Sequence, residues 1–501
     1  MPKNSTRRTF LQLSAVGLAT TATAKMATSS MNATEVPSPS GEIKVWVTDP
    51  QVRCAQAQTI SWQSGSGGTS ATGILLDPSK TFQRILGFGA AFTDAACYMF
   101  DQLSESAREQ LLHEMFHPSA MGLNVCRTCM GASDYSTKVY SYDEGDPDPD
   151  LKRFSIDHDR QYILPTLRQA RKLNPDLFLL STPWSPPGWM KSGGSMLGGA
   201  MRRRYLRTYS QYFVKFLQAY AAEGVPVQAI TPQNEVDTDQ DGRMPACIWP
   251  QEYEIEFVHH LGPLLKENGL TTKIWILDHN YNLWGRATCE LDDPGVREFC
   301  QDVAWHGYVG SADMVNKVHE AHPEVAMHWT EGGPDYTSPD YLTDWAKWGH
   351  IFTSALRNWC DSITGWNLAL NEKGQPNIGP FPCGGVVTIH SQTKEITRSG
   401  QFWALAQFSR FIRRGARRFD SQGTIPDLDH VGLENPDGQR ILVLSNAAVD
   451  RTVTLQFGTM AADVNLKKDS VTTLVWNRAA VPDTHVYVHR LLVPQLETNV
   501  A

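Results

Sequence analysis

Two glutamates stand where short apolar runs end. Residues 229–236 read Ala-Ile-Thr-Pro-Gln-Asn-Glu-Val, so an apolar start gives way to a polar tip carrying Glu235. Residues 324–333 follow the same grammar: Val325, Ala326, Met327 and Trp329 lead into Glu331, and two glycines follow. In a β/α architecture such tips deliver side chains to the face where chemistry is done. Two carboxylates there are the minimum equipment for cleaving a glycosidic bond. One protonates the leaving oxygen and the other meets the cationic sugar carbon. Either glutamate alone reads as an ordinary strand-end ion pair; the two together read as catalytic.

Further polar groups sit at the ends of apolar runs: Asp94, Asp134, Trp184, Asn234, Asp278, His306, Tyr308 and Trp366. A barrel brings such positions to one face, where they would bind substrate. Asn234, next to the acid, is placed to bond a sugar hydroxyl such as O2. Indole faces stack on sugar rings, and Asp94 with Trp184 is expected to close the site around a terminal sugar. Repulsion from Glu331 is expected to raise the pKa of Glu235 so that it holds its proton. The run Asp237-Thr-Asp-Gln-Asp-Gly242 imitates a calcium loop, but its twelfth position is Ile248 rather than Glu. It reads as an acidic loop above the mouth of the site. No metal and no cofactor are expected.

The elements that must position these groups alternate. Strand candidates fall at 86–92, 124–134, 178–185, 229–235, 273–280, 303–308, 325–331 and 362–370, with amphipathic stretches at 104–116, 158–173, 202–223, 251–268 and 343–359 between them. Eight such repeats over residues 84–414 predict a (β/α)8 TIM barrel of the α/β class. A doubly wound sheet is the alternative, but no G-x-G-x-x-G opens a helix after the first strand. After Gly415 the helices stop and short β-rich runs take over, as in an antiparallel β-sandwich. The alternating run beginning at Ile43 has no partner in the barrel pattern. It is assigned to the same sandwich, a discontinuous domain of residues 43–83 and 415–490.

The N-terminus reads Arg7-Arg8-Thr9-Phe10-Leu11 followed by a mildly apolar run to Ala24. This predicts a twin-arginine signal peptide over 1–24, a flexible leader over 25–42, and export to the periplasm or the exterior. No other apolar run is long enough to span a bilayer, so no transmembrane segment is expected. The formal charge is −8, and cleavage of the signal would remove three further positive charges, Lys3, Arg7 and Arg8. An acidic chain whose one basic triplet is Arg202-Arg203-Arg204 is not expected to bind nucleic acid. Nine cysteines make an odd count. Mostly reduced, buried thiols are expected, with Cys126 and Cys129 structural rather than metal-binding. No pattern in the sequence sets an oligomeric state.

The chain also resembles glycoside hydrolase family 30, and within it the glucosylceramidase or acid β-glucosidase branch. The resemblance rests on Gly87-Phe-Gly-Ala-Ala-Phe-Thr-Asp94, Ser133-Asp-Tyr-Ser136, Ser181-Thr-Pro-Trp-Ser-Pro-Pro-Gly-Trp-Met-Lys191, Gln233-Asn-Glu235, His328-Trp-Thr-Glu331 and Gly365-Trp-Asn-Leu-Ala-Leu370. These run in family order within residues 43–480. It implies a barrel with an attached sandwich and a retaining mechanism with Glu235 as acid/base and Glu331 as nucleophile. It also implies a sugar pocket lined by Asp94, Asp134, Trp184, Asn234 and Trp366. The chain departs from the pattern at Gly307, where the family resembles His-Trp-Tyr, and at Phe381-Pro-Cys-Gly-Gly385. Three functions follow. The first is an exo-acting retaining β-glucosidase on terminal β-glucosides, with a carbohydrate or glycolipid substrate. The others are an endo-acting β-glucanase or β-xylanase, and a silent sugar-binding protein, against which the intact glutamate pair counts.

Overall fold

The computed structural model describes residues 41–65 and 73–477. The signal and leader assigned to residues 1–42 lie almost wholly outside the described residues, as does the stretch 478–490.

Eight parallel strands form the barrel. In chain order they are Gly87–Phe92, Val125–Cys129, Phe178–Thr182, Ala229–Ile230, a fifth split into Lys273–Ile274 and Ile276–Asn280, then Asp302–His306, Ala326–Glu331 and Cys360–Asn367. Each pairs with its neighbours, the first with the eighth, and the two halves of the fifth join the fourth to the sixth across Trp275. The strands are buried almost throughout because both faces are covered, by side chains inside and by helices outside. Sheet closure is close-fitting. A Cβ on Gly89 would stand 2.0 Å from the Val125 carbonyl oxygen, so the first strand carries glycine where the second presses on it.

Helix starts follow local capping chemistry. The Thr93 side chain accepts from the Ala96 N–H and opens the helix Asp94–Asp101; Ser104 does the same for Glu105–Phe116, through Ala107. The expected helices at 158–173, 202–223, 251–268 and 343–359 are observed as Ile163–Leu173, Leu206–Ala222, Gln251–Glu267 and Trp345–Arg357.

The sandwich joins both ends of the described chain. Glu42–Thr48 pairs antiparallel with Ser470–Asn477, and Gly73–Arg84 pairs with Arg417–Gln422. Gln439–Asn446 and Leu428–Glu434 lie between these pairs in the same sheet. Its core holds Ile43, Leu442, Leu444, Leu474 and Trp476. The sandwich braces the last two barrel helices, Trp345–Arg357 and Gly400–Ser409. Trp345 Nε1 donates to the Asp469 carbonyl at 2.8 Å, and Ser445 Oγ to that of Ala346 at 2.8 Å. Phe352 and Phe408, both fully buried, meet edge-on between the two helices at 5.7 Å. Each such burial contributes about 1.5–3 kcal/mol, so the seventh and eighth strands are held from outside as well as from within. No helix among the described residues is long and apolar enough to cross a membrane.

Candidate active site

The C-terminal ends of the strands surround a cavity of about 560 Å3 lined by Asp134, Trp184, Asn234, Glu235, Tyr308, Glu331 and Trp366, with rim residues from several loops. The fourth strand is shorter than expected: pairing stops at Ile230. Pro232 has no N–H to donate to a ladder. The chain then turns, with Asn234 N donating to the Pro183 carbonyl and Glu235 N to that of Asp278. Glu235 takes φ 50°, the left-handed region, which a side chain occupies at a cost of about 1–3 kcal/mol unless its surroundings hold it there. That turn aims its carboxylate at the centre of the cavity instead of along the strand.

Glu331 is the last residue of its strand and needs no such turn. Arg127 Nη1 donates to its Oε2 at 2.5 Å and Tyr308 Oη to its Oε1 at 3.1 Å. One imidazole spans the gap between the two glutamates: His306 Nδ1 lies 3.4 Å from Glu235 Oε1 and Nε2 lies 3.8 Å from Glu331 Oε2. Both carboxylates therefore lie within 4 Å of a single ring.

Beneath them lies a buried ion pair. Arg127 Nη2 donates to Asp278 Oδ2 at 2.7 Å and to Asn234 Oδ1 at 2.8 Å. Asp278 also accepts from Thr182, Thr231, Thr330 and His306. Burial opposes its charge, but Arg127 and His306 hold its pKa far below the usual carboxylate range. A register shift between Leu277 and His279 in the fifth strand, with Leu277 and Asp278 both at positive φ, re-aims this stretch. Asp278 consequently points down to Arg127, and His279 points into the cavity.

Charge is distributed differently from the sequence expectation. Burial raises Glu235, but His306 foremost, then His279 and Arg127, outweigh it and hold Glu235 below its ordinary pKa. Burial pushes Glu331 up, with Glu235 and Asp278 adding to the rise against His306 and Arg127. The like-charge repulsion expected to raise Glu235 thus falls on Glu331, because two imidazoles face Glu235. His306 is itself raised to about 9; burial lowers it, and Glu331, Asp278 and Glu235 more than compensate.

Trp184 and Trp366 stack at 4.9 Å between ring centroids, and the Arg127 guanidinium lies 4.6 Å from the Trp184 ring. Asp134 lines the cavity beside them, its Oδ1 buried without a hydrogen-bond partner. Burial first, then Glu331 and Glu235, push its pKa well above the usual range.

The structure brings Glu235, Glu331, Asp134, Trp184, Asn234, Tyr308 and Trp366 to the cavity lining, with His306 between the two glutamates. Asp94 is the exception. It is the first residue of the helix Asp94–Asp101, outside the lining, and its carboxylate accepts from Thr137, His158 and Tyr162. Its hydrogen-bonding capacity is taken up by the protein, so Asp94 does not line the cavity, whereas Asp134, Trp184 and Trp366 do. Gly307 has a packing reason: a Cβ there would stand 2.7 Å from Trp329 Nε1, the indole occupying the space a side chain would need.

Arg127 and His279 were not singled out from sequence. A lone arginine inside the apolar run Val125-Cys-Arg-Thr-Cys129 was the available signal, since a mid-strand charge must be paired. His279 follows Asp278 directly, and only the register shift turns it inward. The loop Asp237–Gly242 does border the mouth, where Asp237, Thr238 and Gln240 line the cavity. All nine cysteines are free thiols, and Cys126 and Cys129 are buried in the second strand.

Residues 85–412 match the glycosyl hydrolase family 30 TIM-barrel domain, and residues 415–474 match the family 30 beta sandwich domain. The chain belongs to glycosyl hydrolase family 30. It is therefore a glycoside hydrolase with a carbohydrate substrate. It is 33% identical over 407 residues to an endo-1,6-beta-D-glucanase of Neurospora crassa, covering 76% of this chain and 83% of that protein. It is 30% identical over 403 residues to the lysosomal acid glucosylceramidase of Mus musculus, covering 75% and 78%. A solved endo-beta1,6-glucanase superimposes with a TM-score of 0.79 at 27% identity, covering 88% of this chain and all of that one. Within the family, then, both endo-glucanases and glucosylceramidases are its relatives.

Proposed function

We propose that this protein is a retaining β-glucanase that cleaves β-1,6-linked glucose chains internally. Glu235 and Glu331 both lie within 3.8 Å of the His306 ring nitrogens, and the resemblance to family 30 implies a retaining mechanism for this pair. Glu331 attacks the anomeric carbon and forms a glycosyl-enzyme while Glu235 protonates the departing oxygen. Glu235 then takes a proton from water, which completes hydrolysis. His306 Nδ1, 3.4 Å from Glu235 Oε1, stands close enough to pass a proton to the acid. Asn234, held by Arg127, presents its amide to the sugar O2, and Asp134 offers its free Oδ1 to a distal hydroxyl.

Endo action is favoured over the exo action expected from sequence for two reasons. Asp94, the residue that was to close the distal end, is committed elsewhere, and endo-1,6-β-glucanases stand among the relatives. The same rim favours a second reading. Tyr308, Val309 and Phe381 line the mouth while 45%, 51% and 39% exposed, an apolar edge suited to the aglycone of a glucosylceramide-like lipid. Product analysis on β-1,6-glucan separates them. Early oligosaccharides support the endo reading; glucose from the first minutes, or turnover of glucosylceramide alone, gives the case to the second. Export is proposed on the Arg7-Arg8 signal, and trapping of the Arg7→Lys, Arg8→Lys precursor inside the cell tests it.

A further inference from the structure

Two imidazole nitrogens in this site make no hydrogen bond. His279 Nδ1 and His306 Nδ1 are both buried and unpartnered, although each ring is firmly held on its other side. His279 Nε2 donates to Asp237 Oδ1 at 2.6 Å, and His306 Nε2 to Asp278 Oδ1 at 3.1 Å. Both free nitrogens face the same atom: Glu235 Oε1 lies 3.8 Å from His279 Nδ1 and 3.4 Å from His306 Nδ1. His279 is 5% exposed and His306 fully buried, so water does not satisfy them cheaply.

This is the arrangement by which proteins hold transition metals. A metal-binding histidine gives one nitrogen to the ion and donates its other N–H to a carboxylate, which fixes the ring. Both histidines here already have that carboxylate. Zinc bonds to nitrogen and oxygen run about 2.0–2.2 Å, so in a tetrahedron neighbouring ligand atoms lie about 3.3 Å apart. The two separations from Glu235 are close to that figure, and all three ligand atoms lie within 4.8 Å of one another, so side-chain rotation draws them in. The calcium-like loop at Asp237 plays no part as a ligand set; Asp237 serves only to orient His279.

We propose that Glu235, His279 and His306 form a three-donor site for a divalent transition-metal ion of the zinc type, and that occupancy inhibits the enzyme. The ion takes Glu235 Oε1, leaving an open fourth position toward the cavity for water. While it is bound, Glu235 cannot protonate a leaving group, and any proton on either Nδ1 is released to solvent. Inhibition rests on the catalytic reading above; binding does not.

Titration calorimetry of the metal-free protein with Zn2+ tests the site directly. One ion per chain is expected, with affinity reduced about 10–100-fold in Asp237→Asn, which removes only the carboxylate behind His279. His279→Ala should abolish that binding event. Asp237 is 48% exposed at its side chain, so its replacement keeps the fold accessible to measurement. Absence of binding, or binding unchanged in both variants, overturns the proposal. Glycosidase assays run alongside separate the two readings: activity lost with Zn2+ and restored by a chelator supports both. Zn2+ binding by a protein without glycosidase activity leaves the site standing and sinks the function.

Discussion

Arg127 donates to Glu331 at 2.5 Å from one arm of its guanidinium and to Asp278 at 2.7 Å from the other. A permanent charge buried under the barrel mouth thus ties the proposed nucleophile to the anchor of the site. Tyr308 adds a donor from above. Glu331 is held on both oxygens before substrate arrives, so no reorganisation is needed at the moment of attack.

Removing that charge is expected to be costly. Arg127→Met leaves Asp278 and Glu331 buried without their cation, a loss of about 3–5 kcal/mol. Arg127→Lys restores charge but not the fork. Thermal unfolding should rank the proteins wild type, Lys variant, Met variant, with activity falling in the same order. A Met variant as stable as wild type would mean the pair adds nothing.

Stability should also depend on pH through two buried histidines. His306 and His328 are both raised from 6.5 to about 9, in each case against burial. Glu331 and Asp278 act on His306, and Asp361 and Asp302 on His328. A raised histidine stabilises fully below its unfolded pKa and loses that contribution as pH rises through its folded value. The melting temperature should therefore decline between pH 6.5 and 9, and the double variant His306→Gln, His328→Gln should flatten the slope. An unchanged slope in that variant contradicts the assignment.

The division of labour between the glutamates predicts opposite leaving-group behaviour. Glu331→Gln should abolish turnover of every substrate. Glu235→Gln should retain glycosylation from an aryl β-glucoside with an activated leaving group far better than from a natural glucan, because such a leaving group needs no proton. Equal losses on both substrates would remove Glu235 from its role.

The parts of this account that sequence disclosed are those with a repeating physical signature. Alternation of apolar runs with amphipathic stretches marked eight strand positions, because a parallel sheet covered on both faces must be apolar. Glu331 was legible because its strand runs straight into it. Glu235 was legible as a residue but not in its geometry, since the strand ends early at Ile230, ahead of Pro232, and a left-handed turn does the aiming. Asp94 misled for a related reason: its strand ends at Phe92, Thr93 caps a helix at once, and the new axis carries Asp94 away from the cavity. His279 depended on a register shift that no composition reveals. The pKa order of the two glutamates was not legible either, because it turns on two imidazoles from the fifth and sixth strands, far from both glutamates in sequence.

The central claim is that hydrolysis proceeds by double displacement at Glu331, with Glu235 returning the proton. Proton NMR of the first reducing sugar released from a β-linked glucan reads this directly, before mutarotation mixes the anomers. The account predicts that the β-anomer appears first; an initial α-anomer would mean single displacement by water and would contradict Glu331 as nucleophile.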